Sequence, residues 1–105
     1  MQPTTFIDFE AAFLAQGFDE ALVREWAPGT VVATHSHPFA VQAQVVRGEF
    51  WLTLGDHVRH LQAGDHFSLP RDEPHAERYG VDGATFWVAR RHAPVAATSA
   101  VPAAG

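Results

Sequence analysis

The chain has 105 residues, 47% of them apolar, which is enough for one domain with its own core and too apolar for disorder over most of its length. A formal net charge of -5 and the lack of a basic stripe argue against a nucleic-acid partner. No run is long enough for a membrane helix, and the N-terminus lacks a basic start followed by an apolar stretch, so no membrane partner is expected and a cytoplasmic protein is. The absence of cysteine removes disulfides, thiolate nucleophiles and zinc–thiolate sites together, leaving seven histidines as the softest ligands apart from Met1.

In chain order, Asp8 to Gln16 reads as a short helix, with Asp8 as N-cap, Phe9 and Phe13 stacked at i, i+4, and Gly17 as a left-handed stop. After Phe18 the period changes. Ala21 to Trp26 predicts a first strand, Pro28-Gly29 a turn, and the β-branched run Thr30 to Ser36 a second strand. Val41 to Arg47 predicts a third, ended by Gly48. Phe50 to Leu54 and His57 to Leu61 flank Gly55-Asp56, a two-residue hairpin signal. Ala63-Gly64-Asp65 is a tight turn, and His66 to Leu69 a short strand ended by Pro70. Ala76 to Tyr79 is another strand, and Asp82-Gly83 is expected to turn the chain into Ala84 to Arg90. Many short strands with one peripheral helix predict an all-β, antiparallel barrel or jelly roll. The expected organisation is a helical segment over 1–19 packed on a barrel over 20–92, then a flexible Ala/Pro-rich tail over 93–105.

His35 and His37, two apart in a β-branched run, point to one side of a strand, where two neutral imidazoles can grip one divalent cation. His75, after Pro74, offers a third nitrogen from another strand. Glu77 shares parity with His75 and is a candidate fourth ligand, an acceptor for an imidazole N–H, or a general base. Gln42 and Gln44 share one face of a strand while Val41, Ala43 and Val45 share the other; which face looks into the cavity stays open. His57, His60 and His92 are expected at the surface and His66 in a structural role. Arg90-Arg91 reads as a solvated strand end. Phe39, Phe50, Trp51, Phe67, Phe86 and Trp87 are expected mostly to build the core.

These residues carry a resemblance to the cupins. The family's first motif runs glycine, five residues, His-x-His, three or four residues, glutamate, six residues, glycine; here Gly29, His35-Ser36-His37 and Gly48 fit it. The second runs glycine, five residues, Pro-x-Gly, two residues, His, three residues, Asn. Gly64, Pro70 and His75 fit it, while Asp72 replaces the second glycine and Tyr79 the asparagine. Two motifs in order are more specific than a lone His-x-His. The glutamate position falls on Val41 or Gln42, neither a carboxylate.

The resemblance implies a double-stranded β-helix and a three-histidine site of His35, His37 and His75, with Gln42 or Gln44 as weak oxygen donors. It also implies a homodimer. Such a donor set suits Fe, Zn, Ni or Cu and disfavours Mg and Ca. Without a carboxylate ligand the metal keeps its full charge and should favour small anionic molecules. A dioxygenase-like enzyme or isomerase is the implied activity, with Glu77 or Gln44 orienting the substrate or moving a proton. A non-catalytic small-molecule binding or sensing module is the alternative.

Overall fold

The computed structural model describes residues 3–92, and the tail expected over 93–105 lies outside them. In order come α1 (Phe6–Ala15), β1 (Glu20–Trp26), β2 (Val31–His35), β3 (Ala40–Leu54), β4 (His57–Gln62), β5 (His66–Leu69) and β6 (His75–Arg91). The fold is all-β apart from α1. The helix begins earlier than expected, because Thr5 caps it: its Oγ1 accepts from the Asp8 amide at 3.1 Å, so Asp8 lies inside the first turn.

The largest departure from the predicted elements concerns Gly48 and Asp82-Gly83. Neither ends a strand. β3 and β6 run through these points as strands of 15 and 17 residues. Each long strand serves in two layers. The first halves of β3 and the second half of β6 pair with each other, with β5 and with β1. The second half of β3 and the first half of β6 pair with each other, with β4 and with β2. This is the bent, double-stranded arrangement of a β-helix barrel.

The bend has a visible parity change. Val41, Ala43 and Val45 are buried on β3, then Phe50 and Leu52; on β6, Tyr79 is buried, then Ala84, Phe86 and Val88. Phe50 stands five positions after Val45 and Ala84 five after Tyr79, so an odd step restores the inward face after an irregular register. Gly48 and Gly83 make this possible: both have positive φ (77° and 67°), and a Cβ on Gly48 would lie 2.0 Å from the Gly83 carbonyl oxygen. A turn would have separated the strands at that crossing; bulged glycines keep them paired.

The core between the layers centres on Phe50, whose ring lies 5.0 Å from Tyr79 and 5.6 Å from both Phe67 and Phe86. Each such side chain contributes roughly 1.5–3 kcal/mol by burial. Trp87, on the outer face of β6, instead meets Phe6 and Phe9 of α1, and Trp51 stacks on His60 outside the barrel. The expected core is therefore split between an interior and a helix-covered exterior. No helix among the described residues is long and apolar enough to cross a membrane.

Candidate metal centre

β2 ends at His35, whose Cα pairs directly with that of His75 at the start of β6. His37 follows in the loop to β3. The three rings converge, with centroids 4.3 to 5.1 Å apart, and one ligand nitrogen from each lies within 4.8 Å of the others. His75 is fully buried, whereas His35 and His37 are half-buried.

Two of these rings have a fixed orientation. His35 Nδ1 donates to the Ala33 carbonyl at 2.8 Å, and His75 Nδ1 donates to the Glu73 carbonyl at 2.9 Å. A carbonyl oxygen can only accept, so each Nδ1 carries a proton and the neutral ring presents its Nε2 lone pair. His37 stacks flat on Phe39 at 4.8 Å. Burial, then the neighbouring His75 and His35, hold its pKa below the ordinary imidazole value and favour the neutral, ligating form.

Glu77 lies beside two of the three rings. Its Oε2 lies 3.4 Å from His75 Nε2 and 3.8 Å from His35 Nε2. Its other oxygen accepts a hydrogen bond from the Tyr79 hydroxyl. Tyr79 is buried between Trp26 and Phe50, each 5.0 Å away, so the donor is rigidly placed. At these separations the carboxylate can pair with a protonated imidazole or share a cation with the neutral rings. A tetrahedral ion with bonds of about 2.1 Å has ligand–ligand edges of roughly 3.4 Å, which the separation of Glu77 Oε2 from His75 Nε2 matches. Three imidazole donors suit Fe, Zn, Ni or Cu better than Mg or Ca.

Gln42 and Gln44 do not join this group. Strand alternation places Val41 in the pocket and exposes Gln42 on the outer face. Gln44 is buried, but on that same outer face, where its Nε2 donates to the Pro3 carbonyl at 2.9 Å. The ligand role expected for Gln42 and the proton-handling role expected for Gln44 are corrected accordingly. The family's glutamate position is therefore Val41, an apolar residue. His66 is exposed rather than structural. His57, His60 and His92 are exposed.

The pocket beside the histidines has a volume of about 110 Å³. Its opposite wall includes Arg24 and Trp26 from β1 and Arg90 from β6. Arg90 is no solvated strand end. Its guanidinium lies 4.7 Å over Phe39 and 3.6 Å from Glu20, with its side chain only 23% exposed. Arg91, on the other face, donates to the Gln16 carbonyl and fastens the end of α1. Arg24 was legible in principle: it alternates with Leu22 and Trp26 and so shares their inward face. Nothing local distinguished Tyr79 as the partner of Glu77, although the two are one strand pleat apart.

The family described as Cupin domain matches residues 22–89. Among solved structures, the DMSP lyase DddQ from Ruegeria pomeroyi is 29% identical with a TM-score of 0.64, covering 69% of this chain and 37% of its own. KdgF from Halomonas sp. is 25% identical with a TM-score of 0.59, covering 68% of both chains. An uncharacterised HTH-type transcriptional regulator from Haemophilus influenzae is 42% identical over 38 residues, which are 36% of this chain and 13% of the regulator. The chain thus spans less than half the length of the lyase and of the regulator.

Proposed function

The chain belongs to the cupin family, and on that premise we propose that it holds a divalent transition metal through His35, His37 and His75 and uses it on a small polar or anionic molecule. The convergence of three ligand nitrogens within 4.8 Å, two of them on rings oriented by backbone carbonyls, carries this conclusion. A bound ion would supply a Lewis acid and lower the pKa of water or substrate bound to it. The histidines hold that ion. Glu77, fixed by Tyr79, is the group that takes or returns a proton beside it, or donates an oxygen to it. Phe39, Phe67 and Phe86 exclude water from the other sides of the pocket.

The reactions put forward are a dioxygenase-like oxidation or an isomerisation, with Fe, Zn, Ni or Cu as the metal. The likeness to a DMSP lyase adds elimination, for which Glu77 is a suitable base. Non-catalytic sensing is the second function put forward, favoured by the segment shared with an HTH-type regulator. A homodimer in the cytoplasm completes the picture; sedimentation at micromolar concentration and cell fractionation test those two points.

The deciding experiment is elemental analysis of untagged protein beside a His75→Ala variant whose fold is checked by circular dichroism. Near-stoichiometric metal in the parent and its loss in the variant is the expected result. Metal in neither, after reconstitution with Fe(II) and Zn(II), overturns the proposed centre.

A further inference from the structure

The charge inside the pocket opposes the charge of the chain. The molecule carries a formal net charge of -5, yet its cavity is lined by Arg24, Arg90 and three histidines against a single carboxylate, Glu77. Arg90 is partly balanced by Glu20 at 3.6 Å. Arg24 has no such balance: among the described residues no carboxylate comes within 4.0 Å of its guanidinium. It is half-buried, with its guanidinium 5.0 Å over the Trp26 ring. That stacking holds the planar fork in place and leaves its N–H edge free to meet an acceptor. Arg90 adds a second unmet donor, a buried Nε with no hydrogen-bond partner.

The two kinds of group come from opposite layers. His35, His75 and Glu77 stand on β2 and the first half of β6, whereas Arg24 and Arg90 stand on β1 and the second half of β6. The bend of β6 brings the layers face to face across a cavity of about 110 Å³, well below the roughly 300–1,000 Å³ of pockets for drug-sized ligands. A guanidinium there is costly to leave without an anion, and a carboxylate is its natural bidentate partner.

We propose that the pocket takes a small carboxylate, its charged end received by Arg24 and its other polar end directed at the histidines, and that Arg24 is the specificity-determining residue. This assignment rests on the proposed metal centre for the second half of the ligand only. Arg90, tied to Glu20 and stacked on Phe39, forms the adjoining positive wall.

The test uses zinc-loaded full chain, with malonate as the anionic probe and malonamide as its neutral counterpart, both followed by calorimetry. Zinc affinity is measured separately. Malonate should bind and malonamide should not. Arg24→Gln should weaken malonate at least tenfold while leaving zinc affinity within about twofold, because Arg24 is no ligand. Arg24→Lys should recover only part of the loss, since an ammonium cannot form the paired contact. Equal binding of malonate and malonamide, no malonate binding, or malonate binding indifferent to Arg24→Gln each overturns the carboxylate assignment. Failure of the parent chain to take up zinc overturns the metal centre instead, and the same malonate titration of metal-free protein still reads the Arg24 contact.

Discussion

Replacing Gly48 by alanine isolates the close approach on which the double-layered fold depends. Two costs separate cleanly. The first is conformational: at φ +77° an alanine costs roughly 1–2 kcal/mol relative to glycine. The second is steric. The added Cβ would sit 2.0 Å from the Gly83 carbonyl oxygen and 2.8 Å from the Ala84 Cα, both backbone atoms of β6 that cannot rotate aside. Relief requires the two long strands to part at their crossing, so the total loss should reach about 3–5 kcal/mol, a large share of a typical domain's roughly 5–15 kcal/mol. Gly55→Ala is the matched control. Its φ of +59° imposes the first cost, but no atom lies within 4 Å of the added Cβ. Urea denaturation of both variants, followed by tryptophan fluorescence, should show Gly48→Ala at least about 2 kcal/mol less stable than Gly55→Ala. Equal losses would refute the contact, and with it the account of how β3 and β6 stay paired through the bend.

Phe50→Ala removes a fully buried ring that touches Tyr79, Phe67 and Phe86, and should cost about 3–5 kcal/mol in the same denaturation assay. Tyr79 is the chain's single tyrosine, so its ionisation can be followed by ultraviolet difference absorbance. Burial, then the hydrogen bond to Glu77, push its pKa up, so the native phenol should stay protonated past pH 10, where an unfolded chain ionises. The folded state then binds the extra proton, and stability present below about pH 10 should fall as pH rises further. His37 has the opposite sign. Its folded pKa is depressed by burial, so its contribution to stability is present above about pH 6.5 and is lost as pH falls below that. Metal uptake should weaken over the same range, as protons compete for the ring nitrogens; zinc titrations at pH 7.5 and 5.5 measure it. Thr5→Ala should cost only about 1 kcal/mol, read by thermal melting, because it unties one capping bond at the end of α1.

The amino-acid sequence by itself determined the all-β class, the pairing of His35-Ser36-His37 with a distant His75, and the two-residue hairpin at Gly55-Asp56. The β-branched runs and the turn chemistry are local signals, written within a few residues of one another, whereas His75 came in through the second of two spaced motifs. Only the tertiary structure decided which face of β3 looks inward. Alternation groups Gln42 with Gln44 and Val41 with Ala43, but it is symmetric, and the packing of Phe50, Phe67 and Phe86 between the layers breaks the symmetry in favour of the apolar set. Gly48 and Gly83 are legible as special, as a strand end and part of a turn, but a positive φ serves a bulge as well, and the choice depends on whether a second strand lies alongside. For the same reason Arg24 and Arg90, 66 positions apart in the chain, could be assigned to one wall only once β1 and the far half of β6 were seen to pair and face the histidines.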